Sequence, residues 1–176
     1  RTKMLKDKIT KYIAIMSFSV FIGFAILNSG NAYAKKMKVI TTSTDLKSIA
    51  EYIGGNRVDV ESITKGYANP HEVDAKPSFM VKLRKADVFI RIGLDLEQWA
   101  QLLIDEARNP QIRFGAPGHV IASVGVDLQG LAVRGGAMID RSLGDVHIYG
   151  NPHFWLDPLN GKVMAQNILE GLKRNS

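Results

Sequence analysis

Between Lys38 and Ala107 an extended apolar segment gives way to a helical one three times, and this alternation constrains the chain most tightly. Lys38–Ser43 reads as a strand. Thr44 or Asp45 is placed to cap a helix over Leu46–Ile53, which Gly54-Gly55 ends. Arg57–Thr64 sets Val58, Val60 and Ser62 against Asp59, Glu61 and Ile63, the period-two pattern of a strand with one buried face. A loop over Lys65–Ala75 follows. Ser78 then stands ready to cap a short helix with Phe79, Met80, Leu83 and Ala86 on one face. Val88–Ile92 is a mostly apolar strand closed by Gly93. Leu96, Ala100, Leu103 and Ala107 form a helical stripe, stopped by Asn109-Pro110. Such repetition argues for an α/β fold with a parallel sheet. Ligands of these sheets sit at the carboxyl ends of strands, and the loop carrying His71 follows the second strand.

The pattern weakens over Gln111–Asn151. This stretch is rich in glycine, with short apolar pieces at Val120–Val126 and Leu131–Val133, and is read as loops with one or two short strands. Order returns at Asp157-Pro158, an N-cap followed by proline at the first helical position. Met164, Ile168 and Leu172 then mark one helical face.

The first 34 residues are of another kind. Arg1, Lys3, Lys6, Lys8 and Lys11 stand against Asp7 alone, so most of the chain's +6 net charge lies there. A basic patch for nucleic acid would instead sit on the folded domain, so no nucleic-acid partner is expected. An apolar run from Tyr12 to Leu27 is broken only by Ser17, Ser19 and Gly23, and Ala32-Tyr33-Ala34 follows. This is the order of a secretory signal peptide, with cleavage expected after Ala34. The run is short for a membrane span, which takes about 20 apolar residues. The chain has no cysteine. That excludes a disulfide framework, a Cys-ligated zinc site and a thiol nucleophile, and a lipid anchor on an N-terminal cysteine is not expected. A cleavable leader without a lipid anchor points to the periplasm.

Two of the four histidines share a setting. Asn69-Pro70-His71 and Asn151-Pro152-His153 each place an imidazole behind a proline, which fixes its own φ and restricts the residue before it. Asn beside such a turn can anchor the backbone. Neutral imidazole is a ligand for zinc and other divalent metals, and a ligating His gives its second ring N–H to a carboxylate or carbonyl. Glu72, Asp74 and Asp157 are the nearby carboxylates and are candidate outer partners. Sequence alone does not show that His71 and His153 meet. His147 is a candidate auxiliary ligand, His119 is read as structural, and Tyr67 is a candidate for the site wall.

Three blocks carry a resemblance: Gly66–Ser78 around His71, Leu83–Glu97, and Gly150-Asn-Pro-His-Phe-Trp-Leu-Asp-Pro158. In this order, with Val39–Leu46 ahead of them, they resemble the N-terminal lobe of the zinc/manganese solute-binding proteins of ABC importers, the TroA-like, cluster A-I receptors. The resemblance implies a metal held between two α/β lobes joined by one long helix, with His71 and His153 as the N-lobe ligands. A third His and a carboxylate would come from a C-terminal lobe. Residues 35–156 would then form the N-terminal lobe and residues 157–176 the start of the connecting helix. The C-terminal lobe is missing from this sequence, as expected of a truncated sequence or a half-receptor. The implied function is capture of a divalent ion, zinc favoured because the His153 block looks like the zinc-type one, with manganese next. The implied partner is a permease of the inner membrane, and the implied receptor is a monomer.

Other classes fit the residues less well. A secreted metal-dependent hydrolase would need an open site with a general base. The sequence has no H-E-x-x-H, no G-x-S-x-G elbow, no P-loop and no G-x-G-x-x-G, so no enzyme is expected. A surface adhesin would need an anchor.

Overall fold

The computed structural model describes residues 35–128 and 151–176, together with Met4 and Met16. The chain divides into two units, Arg1–Ala34 and Lys35–Ser176. In the first, Met4 and Met16 are helical and exposed. The other residues of the first 34, Leu131–Val133 and His147 lie outside the described residues. Among the described residues no helix is long and apolar enough to cross a membrane.

The second unit is a four-stranded parallel sheet clothed on both faces by helices. Its strands are β1 (Met37–Thr41), β2 (Val58–Ser62), β3 (Val88–Arg91) and β4 (His119–Ile121), in the spatial order β2-β1-β3-β4. Its helices are α1 (Thr44–Gly54), α2 (Pro77–Arg84), α3 (Trp99–Ala107) and α4 (Pro158–Arg174). The expected α/β class with a parallel sheet is therefore the fold that forms. Val39, Val88 and Ile90 face α1 and α4, packing with Leu46, Ala50, Met164 and Ile168. Ile40 and Phe89 face the other way, packing with Leu83, Ala100, Leu103 and Ile104 of α2 and α3. This two-sided burial explains why β3 is apolar almost throughout, while edge strand β2 alternates.

Local chemistry moves two helix starts from their expected places. Ser43, not Thr44 or Asp45, caps α1, its hydroxyl accepting from the Leu46 amide at 3.3 Å. Pro77 opens α2, and Ser78 lies inside the helix. Proline's fixed φ and missing N–H suit the first helical position, so no side-chain cap is needed there. The weak stretch after Asn109 yields one strand among its described residues, β4, shorter than expected and displaced towards His119. Asp157 caps α4 as expected, accepting from the Leu159 amide at 2.8 Å. Gly171 brings α4 against β4, where a Cβ would collide with the Val120 side chain.

His119 is buried at the start of β4, between the rings of Phe89 and Phe114. Its Nδ1 lies 2.9 Å from the Ile112 carbonyl, so Nδ1 carries the proton and donates. Its Nε2 is buried without a hydrogen-bond partner. Burial holds this imidazole below its ordinary value of 6.5, and the Arg91 charge adds to the effect; the Ile112 carbonyl opposes it only partly. The neutral ring is thus the folded form. Its contribution to stability is fully present above the unfolded value of about 6.5 and is lost as pH falls through the lower folded value. Urea unfolding between pH 7.5 and 5 should show wild type losing more stability than His119→Gln.

Candidate metal centre

The strand order reverses beside β1. The chain passes from β1 to β2 on one side, then crosses to β3 on the other. Such a reversal opens a crevice at the carboxyl ends of the flanking strands, the usual binding edge of an open α/β sheet. Thr42 follows β1 here, and Ile92-Gly93 follows β3.

Each Asn-Pro-His turn holds its own imidazole. The Asn69 side-chain oxygen accepts from the His71 amide at 3.0 Å. The Asn151 oxygen accepts from the His153 amide, also at 3.0 Å. That same Asn151 oxygen lies 2.9 Å from His153 Nδ1. An atom accepting a backbone N–H is an oxygen, so the ring nitrogen facing it is a donor. His153 therefore carries its proton on Nδ1 when neutral, and its Nε2 is left with a lone pair.

The structure brings His71 and His153 together. Their Nε2 atoms are 3.2 Å apart and their rings are tilted by 48°. With His153 Nε2 an acceptor, His71 Nε2–H is the donor. Two nitrogens bound to one tetrahedral ion at about 2.0–2.1 Å would be about 3.3 Å apart. An ion entering between the rings would replace that proton with little movement of either ring. Among the described residues no group of three or more His, Asp or Glu is arranged to hold a metal.

The other expected participants lie as follows. Glu72 and Asp74 are exposed in the loop after His71, and Asp157 is exposed at its capping position. The Asn151 side-chain oxygen is one group that orients His153. Tyr67 is exposed, with Lys65 Nζ 5.8 Å from its ring centre. A hollow of about 370 Å³ flanks His153, lined in part by Asp127, Asn151, Asp157 and Asn160.

Sequence reasoning missed two residues behind the site. The Trp99 indole N–H donates to the Pro70 carbonyl at 2.9 Å, gripping the turn that carries His71. Glu97 is fully buried and accepts from the Thr42 hydroxyl at 2.6 Å and from the Ile92 and Gly93 amides at 2.7 and 2.9 Å. Arg91 Nε lies 3.7 Å from it. Between these contacts Leu94 and Asp95 both take left-handed φ, 58° and 61°. For residues other than glycine such backbone is strained and needs its surroundings to hold it. The available signal was a glutamate beside an otherwise apolar stripe.

A parallel α/β lobe with its binding edge at a strand-order reversal is the lobe fold of periplasmic binding proteins. The chain belongs to the family described as zinc-uptake complex component A, periplasmic (ZnuA), whose model matches residues 39–175; these are metal-binding receptors of ABC importers. The iron-binding protein YfeA of Yersinia pestis is 31% identical over 160 residues, covering 90% of this chain and 46% of that protein. The manganese ABC transporter substrate-binding lipoprotein PsaA of Streptococcus mitis is 26% identical over 170 residues, covering 93% and 50%. A crystal structure of ZnuA superposes with a TM-score of 0.59 at 23% identity, covering 78% of this chain and 48% of that one, and shares the fold. The chain spans about half the length of the curated relatives it matches.

Proposed function

We propose that this chain supplies the N-terminal half of a metal receptor: His71 and His153 capture a divalent first-row ion for delivery to an ABC permease of the inner membrane. The observation that carries this reading is the 3.2 Å approach of the two Nε2 atoms, with Asn151 fixing the tautomer of one ring. The site binds and does not catalyse. Residues 35–156 act as the lobe, α4 begins the connecting helix, and further donors come from a second lobe. Relatives are named for iron and manganese, and the family for zinc. Zinc is favoured here because imidazole suits it and it binds a given nitrogen site more tightly than manganese or ferrous iron. Capture takes place in the periplasm, where the leader delivers the chain.

Zinc titration of the chain, followed by NMR of the imidazoles, tests the reading. One equivalent should shift the His71 and His153 resonances together and leave buried His119 unmoved. Binding that leaves either of the pair unperturbed would overturn it.

A further inference from the structure

We propose that Trp99 is a positioning residue for His71, and that Glu97 is the strut that presents it. The inference rests on the metal-site reading above. His71 stands on a loop, Lys65–Ala75, which lies between β2 and α2 and belongs to neither; Val73 and Ala75, beyond His71, pack half-buried against the α2–α3 core. Asn69 fixes the turn internally but does not tie it to the rest of the lobe. The bond from the Trp99 indole to Pro70 does, joining the loop to the first residue of α3. Trp99 is itself placed by the turn before it. Glu97 holds that turn to the ends of β1 and β3 through Thr42, Ile92 and Gly93. Gly93 has φ 91° and no room for a Cβ beside Ile121 and Ser123, so the turn's start is also confined. A continuous path of buried or half-buried contacts therefore runs from the sheet to the residue before His71. His153 needs no such strut, because Pro152 and Phe154 on either side of it are buried.

Groups that orient a metal ligand typically change affinity by about 10–100-fold when removed. Trp99 acts one residue away from the ligand, so the low end applies. Trp99→Phe keeps the ring in the core and removes only the donor. In the full chain, titrated with zinc alone, it should weaken binding about tenfold. It should also shift the His71 imidazole resonances of the zinc-free chain, with a smaller shift in those of His153, whose Nε2 lies 3.2 Å from His71 Nε2. Leu103→Ala, a core truncation on the same helix, is the control for lost stability. It should move neither the resonances nor the affinity. Coupling is reciprocal, so zinc must in turn strengthen the Trp99 bond. In the unaltered chain, zinc should slow exchange of the Trp99 indole proton, a readout that needs no variant to fold.

The outcomes separate. If His71→Ala loses zinc while Trp99→Phe binds within twofold of wild type, the positioning role falls and the metal site stands. Equal weakening by Leu103→Ala, or unchanged indole exchange on adding zinc, overturns it too. If His71→Ala binds zinc as wild type does, the metal-site reading fails and takes this proposal with it.

Discussion

Glu97→Ala is expected to lower the unfolding free energy by about 3–5 kcal/mol, the usual cost of removing one partner of a buried charged network. The alanine leaves the Thr42 hydroxyl and the Ile92 and Gly93 amides without the acceptor they now share. Each buried group left unsatisfied costs about 1–3 kcal/mol before relaxation. The Leu94-Asp95 turn also loses its restraint, and relaxing it returns part of that cost, because left-handed non-glycine residues store about 1–3 kcal/mol each. At a urea slope of about 2 kcal/mol per molar, the midpoint should fall by about 2 M. Glu97→Gln keeps one oxygen but turns an NH₂ towards a donor, so it should cost less, about 1.5–3 kcal/mol. A midpoint for Glu97→Ala within 0.5 M of wild type (about 1 kcal/mol at that slope) would mean the carboxylate does not hold the turn.

This turn also shows where sequence reading reaches its limit. Leu96 starts the apolar stripe and is buried, yet the helix begins only at Trp99. Burial periodicity reports which side chains face the core. It does not report that a carboxylate one position on has captured two strand-end amides and bent the chain out of helix. β3 and α4 were legible for the opposite reason: a two-sided apolar run and an Asp-Pro start both act locally. Ser43 displaced Thr44 and Asp45 as the cap of α1 because three capping residues stand in a row, and composition does not rank them.

The site divides in the same way. The two Asn-Pro-His turns are readable one at a time, since Asn accepting from the His amide is a contact two residues long. That the two rings meet depends on the β2-β1-β3-β4 order and on α4 returning across β4. Neither is written in any window of the sequence. The grip of Trp99 on Pro70 is long-range for the same reason.

His153→Ala should weaken zinc binding by at least about a hundredfold, above the 10–100-fold range of outer partners. On the proposed reading His71 and His153 are the two donors among the described residues, and removing one takes away the chelate they form together. Asn151→Ala is the more informative companion. It keeps both imidazoles but removes the Asn151 acceptor at Nδ1, so the Nε2–H tautomer, which opposes the metal, gains population. Affinity should then fall within the 10–100-fold range. Asn151→Asp keeps an acceptor oxygen and makes it anionic, which strengthens the Nδ1–H bond and the basicity of Nε2. It should bind zinc at least as well as wild type. The ordering His153→Ala weakest, then Asn151→Ala, then wild type and Asn151→Asp follows from tautomer control. Isothermal titration at pH 7.5 reads it directly. Equal binding by Asn151→Ala and wild type would show that the ring is oriented by something other than this amide, and the tautomer argument would fail while the ligand assignment of His153 stood or fell on its own variant.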